Sequence, residues 1–185
     1  MTDQRITKLM IGVCNALNDI HCANLAHRDL KPQNILLSDN RDSAILTDFG
    51  SMSERVIEIT SSKKSQQIAE WASENCSLFY KAPEFFSPQE NSKITEKADV
   101  WSFGCNLYAT MYNKGPFDYV VNKGDSIALA ASSARFSIPN LPSNRSEKLI
   151  NILKNTICFE QDKRMTMGNI MTELIALNTT FNKSV

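Results

Sequence analysis

The chain has 185 residues, 42% hydrophobic and 22% charged, a balance that excludes disordered, collagenous and coiled-coil chains and predicts one packed globular unit. Lys plus Arg and Asp plus Glu each number 20, so no net field draws the chain onto nucleic acid or acidic lipid. Five scattered cysteines (Cys14, Cys22, Cys76, Cys105, Cys158) lack a CxxC pair, which argues against a disulfide framework or a zinc site and fits a reducing compartment. No apolar run approaches the ~18 residues of a membrane span, and the N-terminal stretch has no signal-peptide core, so a soluble, cytoplasmic chain is expected.

The first element in chain order is an amphipathic helix over Asp3–His21, where Ile6, Leu9, Met10, Val13, Leu17 and Ile20 form one helical stripe. A turn-rich run follows, then two short apolar stretches, Ile35–Leu37 and Ala44–Thr47, separated by the polar Ser38–Ser43, which predict a hairpin. Residues 51–92 are rich in Ser, Lys, Glu and Gln and broken by Pro83 and Pro88; they read mainly as a long loop with one helical turn near Gln66–Glu74. Thr95–Tyr112 is apolar on most sides and predicts a buried central helix. Further helices are expected at Asp125–Ala134, Arg145–Cys158 and Thr166–Leu177, with loops at Pro139 and Pro142. The expected fold is mainly α, one domain, with a short β-hairpin.

The chemistry concentrates in His27-Arg28-Asp29-Leu30-Lys31-Pro32-Gln33-Asn34 and in Asp48-Phe49-Gly50. Asn34 and Asp48 lie symmetrically about residue 41, so a hairpin turning there is expected to set a carboxamide and a carboxylate side by side, two hard oxygen ligands for Mg²⁺ on nucleotide phosphates. Asp29, on the same loop as Asn34, is the expected base for a hydroxyl nucleophile. His27 reads as a packing residue and Cys76 as structural. Asp99 reads equally as a helix cap or as an anchor of the catalytic-loop backbone.

In this order, these two runs and Ala82-Pro83-Glu84 resemble the HRDLxxxN, DFG and APE set of eukaryotic protein kinases, and Asp99 to Gly104 resembles their DxWSxG helix start. The resemblance implies a protein-kinase-like (α+β) fold, ATP and Mg²⁺ as cofactors, and transfer of the γ-phosphate to a protein Ser or Thr hydroxyl. It implies that Asp29 and Lys31 are catalytic, that Lys31, Asn34, Leu36 and Asp48 bind the nucleotide, with Asn34 and Asp48 on the metal and Leu36 under the adenine, and that Arg28 braces the activation segment. Ser77 then contacts Asp29 and Lys31 at the peptide site, and Glu84 pairs with Arg164, which Met165 follows where the family often has Pro. Lys31 is similar to the serine/threonine rather than the tyrosine kinases.

Gly50-Ser51-Met52, Trp71 with Cys76, and the run Lys123–Ala130 resemble the Numb-associated kinase family, in particular its serine/threonine kinase 16 branch. That likeness implies an extra helix over residues 64–74 and partners in membrane traffic at Golgi or endosomal membranes. Ahead of the catalytic loop only Gly12 and Lys8 offer a glycine or a lysine, and both fall on the first helix. Residues 1–185 are therefore expected to form the C-terminal kinase lobe alone, without the N-terminal lobe. Two readings follow: a partial catalytic domain that does not turn over ATP unaided, or a non-catalytic lobe that captures peptides as a binding module or decoy.

Overall fold

The computed structural model describes residues 1–38, 43–139 and 146–182, with the side chains of residues 121 and 122 left aside. Thr2 caps the first helix, α1 (Asp3–Cys22), its hydroxyl accepting from Arg5 N. The stripe Ile6, Leu9, Met10, Val13 and Leu17 is buried as its spacing predicts, while Ile20 is only partly covered. Asn24, at φ 61°, turns the chain out of the helix in the left-handed region that Asn tolerates.

Among the described residues, six short strands, β1 (Leu25–Ala26), β2 (Ile35–Leu37), β3 (Ala44–Leu46), β4 (Ser53–Glu54), β5 (Ile57–Ile59) and β6 (Ser92–Ile94), pair antiparallel as β1 with β4, β2 with β3 and β5 with β6. The β2–β3 pair is the expected hairpin, closed by Ser38 N donating to Ser43 O at 3.0 Å. Its turn, residue 41 included, lies outside the described residues. The hairpin rests on α1: a Cβ at Gly12 would stand 3.0 Å from the backbone N and O of Ala44, so only glycine lets the helix ride this close to β3.

Residues 51–92 are not mainly loop. They hold β4, β5, the helix α2 (Ser62–Asn75) and a 3-10 turn at Pro83–Phe85 before β6. Composition misleads here because β5 finds its partner more than thirty residues downstream, and α2 is polar on all but a narrow face, where Ile68 and Ala72 are buried. Ser61 supplies its cap, accepting from Lys64 N at 3.2 Å. The helix expected over 64–74 is therefore present and longer at both ends.

The central helix α3 (Lys97–Tyr112) is buried without interruption from Ala98 to Tyr108, as its apolar perimeter predicts. It ends at Asn113 in the left-handed region. α4 (Asp118–Lys123) was not foreseen; α5 (Ile127–Ser133), α6 (Glu147–Thr156) and α7 (Met167–Asn182) match the three expected later helices, α7 running five residues further. Arg145 and Pro142 fall outside the described residues. α1 packs on α7 and α3, and α3 on α6, where Gly104 faces Thr156 and Ile157. Among the described residues, no helix is long and apolar enough to cross a membrane.

Candidate active site

The loop between β1 and β2 is hung from α3 by one carboxylate. Asp99 is fully buried; Oδ1 accepts from Arg28 N at 2.9 Å, and Oδ2 from His27 N at 2.8 Å and His21 Nε2 at 2.9 Å. Burial alone would push this carboxyl up, but the His21 ring and the Arg28 charge and N–H hold it below the ordinary carboxylate range. Of its two readings, the anchor is the one seen: Glu96 occupies the cap position of α3 and makes no side-chain cap bond. The anchor also fixes Arg28 at φ 71°, a conformation that costs about 1–2 kcal/mol for a residue with a Cβ.

With its backbone held, the Arg28 side chain runs inward, 3% exposed, and spends its donors on Ser53 Oγ (3.0 Å), Thr95 O (2.8 Å), Glu54 O (2.7 Å) and Arg55 O (3.0 Å). His27 packs as expected: fully buried, it sits edge-on to Phe49 and within 3.2 Å of Thr47 O.

Asp29, Lys31, Asn34 and Ser77 converge. Asp29 Oδ1 accepts from Ser77 N at 2.7 Å, and Oδ2 from Lys31 Nζ at 2.7 Å; the same ammonium donates to Ser77 Oγ at 2.9 Å. Asn34 Nδ2 donates to Asp29 O at 2.9 Å and lies 3.4 Å from Oδ2. Burial works to raise the Asp29 carboxyl, yet the Lys31 and Ser77 donors leave it lowered, so it is a carboxylate at neutral pH. Three residues, the farthest 48 positions away in sequence, thus meet around one acid.

Asp48 does not stand where the symmetry about residue 41 would put it. The ladder pairs Ile35 with Leu46, so Asn34 faces Thr47, whose N donates to Asn34 O at 2.9 Å. Asp48 comes one residue later, past the last ladder pair, at φ 62°, and Gly50 N turns back toward its Oδ1 at 3.4 Å. Because faces alternate along a strand, a one-residue offset reverses the side chain, and the left-handed residue interrupts that alternation. Among the described residues, no group of three His, Cys, Asp or Glu side chains is placed to hold a metal. A carboxamide and a carboxylate are nonetheless the hard oxygen set suited to Mg²⁺, which takes few protein ligands when phosphates supply the rest. Leu36 and Ile45, partners across the hairpin, and Phe49, next to Asp48, are each about half exposed.

Glu84 and Arg164 form a two-pronged pair, Nη1 to Oε1 at 2.7 Å and Nη2 to Oε2 at 2.8 Å, and Arg164 also donates to Cys158 O, Lys97 O and Phe159 O. Met165 in place of Pro leaves an N–H that donates to Asn155 O at 2.9 Å. Two residues escaped the sequence reading. Thr95 supplies a carbonyl to Arg28, and Gln161 binds Thr95. Backbone acceptors and lone amides carry no sequence signal of this kind.

Comparison with known proteins gives the family. The protein kinase domain family matches residues 1–175. Serine/threonine-protein kinase 16 of Rattus norvegicus and of Homo sapiens are each 40% identical over 177 residues, covering 96% of this chain and 57% of theirs. Serine/threonine-protein kinase ppk13 of Schizosaccharomyces pombe is 40% identical over 150 residues, 80% of this chain and 43% of its own. The chain thus spans about half the length of these relatives, 57% of the first two and 43% of the third. With the family model matched over residues 1–175, the chain belongs to the protein kinase domain family.

Proposed function

We propose that residues 1–185 are the C-terminal lobe of a kinase domain and contribute the acceptor side of a phosphoryl transfer from ATP to a protein Ser or Thr hydroxyl. The observation that carries this reading is the convergence of Lys31, Ser77 and Asn34 on Asp29. A carboxylate offers about four acceptor sites, so one held by these donors keeps room for an incoming hydroxyl. Its low proton affinity suits it to orient that hydroxyl and to take the proton late, as the O–P bond forms. Lys31, already beside Asp29, offers its ammonium to the transferred phosphate, and Ser77 holds both in register.

Asn34 and Asp48 would hold Mg²⁺ on the nucleotide, Asn34 through Oδ1, since its Nδ2 is committed to Asp29. The cation would neutralise phosphate charge. Leu36, exposed on β2 beside its cross-strand partner Ile45, would lie under the adenine. Arg28 and the Glu84–Arg164 pair would fix the two ends of the segment that presents the substrate. By likeness to serine/threonine kinase 16, substrates would lie among membrane-traffic proteins at the Golgi or endosomes.

The test joins this chain to the preceding lobe of the rat relative and follows transfer from labelled ATP to a Ser/Thr protein substrate. Asp29→Asn should lower kcat by roughly 10²–10⁴-fold, the usual worth of a positioned base, with the fold retained. Undiminished transfer in that variant removes Asp29 from the role.

A further inference from the structure

The turn 158–165 grips the neighbouring segment 82–97 from two sides. Arg164 holds its beginning through Glu84 and also donates to Lys97 O at its last residue. Gln161, on the 3-10 turn Gln161–Lys163, holds its end: Oε1 accepts from Thr95 N and Thr95 Oγ1, both at 3.1 Å, and Nε2 donates to Lys93 O at 2.6 Å. A carbonyl taking an N–H and an amide giving to the C=O two residues earlier is the pattern that an adjoining strand would present to β6. The other edge of β6 is already taken by β5, so one side-chain amide completes a three-membered ladder.

The next link leads to the reacting centre. Thr95, fixed through both N and Oγ1, aims its carbonyl at Arg28 Nη1, 2.8 Å away. That guanidinium is buried, its remaining donors are spent on residues 53–55, and its own backbone is held in a left-handed conformation immediately before Asp29.

We propose that Gln161 is a positioning residue for the catalytic loop, acting through Thr95 on Arg28 and so on the backbone that carries Asp29. Only the name of that loop rests on the phosphotransfer reading. The experiment reads Arg28 directly and stands or falls apart from any transfer assay.

The 185-residue chain is compared with Gln161→Leu, which removes all three bonds, and Gln161→Glu, which keeps the acceptor for Thr95 but sets an oxygen against Lys93 O. Amide hydrogen exchange and the NMR signals of the Arg28 guanidinium are followed. In the Leu variant, exchange at Thr95 should rise about tenfold, the factor expected for roughly one buried hydrogen bond. Residues 53–55 and 27–31 should rise with it, while α1 and α3 keep their protection, and the Arg28 Nη signals should broaden as rotation about Nε–Cζ is freed. In the Glu variant, Thr95 and Arg28 should stay close to the parent while the amides of β6 loosen. Faster exchange confined to residues 92–95 with unchanged Arg28 signals, or a uniform rise that includes α1, would overturn the proposal.

Discussion

Replacing Asp99 by Asn tests how the loop from His27 to Asn34 is suspended. The carboxylate serves three donors on two oxygens, Arg28 N on one side and His27 N with His21 Nε2 on the other. An amide has one oxygen, so its better orientation keeps the His27 and His21 side and turns its NH₂ against Arg28 N–H. That strands a buried donor, at about 1–3 kcal/mol, and removes the charge from two remaining bonds, at about 1 kcal/mol each. Relief of the buried charge offsets part of this, leaving a loss of about 3 kcal/mol, or roughly 6–12 °C in Tm for a chain of this size. Urea unfolding at pH 7 measures it. Because the folded carboxyl lies below its unfolded value of about 3.9, its contribution is complete above that pH and fades as pH falls through the lower folded value. The gap between parent and variant should therefore close in acid. A loss under about 1 kcal/mol at neutral pH, or a gap that widens below pH 4, refutes the suspension.

Two further outcomes follow from the same contacts. Lys31→Met leaves burial and Ser77 as the chief influences on Asp29, so its carboxyl should titrate higher and its stabilising contribution should be lost at higher pH as acid is added; a ¹³C carboxyl titration that does not move upward contradicts the pairing. Gly104→Ala would set a methyl inside contact distance of Thr156 Oγ1 and 2.8 Å from Ile157 Cγ1, both across the α3–α6 interface, and should cost about 1–3 kcal/mol in urea unfolding; an unchanged midpoint means the helices are less closely packed than described.

Much of this arrangement is legible in the residues because the cues are local. The stripe from Ile6 to Leu17 specifies α1, the run from Val100 to Tyr108 that is apolar on most sides specifies α3, and two apolar triplets around a polar run specify the hairpin. The register was less legible. Counting to the midpoint put Asn34 opposite Asp48, whereas a ladder shifted by one sets Thr47 there, and turn geometry rather than symmetry decides such shifts. Non-local pairing was least legible: three residues of β5 and three of β6 carry too short a pattern to announce a strand pair across an intervening helix. Thr95 and Gln161 stayed hidden for a related reason, since their contribution flows through a backbone carbonyl and an amide that composition does not single out.

The contact at Gly12 has a mechanical corollary. Because the opening helix presses backbone to backbone on the second strand of the hairpin, and the last described helix packs on the opening one, the strand that leads into Asp48 is braced from beneath. Loosening that ridge would mean lifting the first helix from its bed, so the steadiness of the strand leading to Asp48 is borrowed from the packing of the first and last described helices.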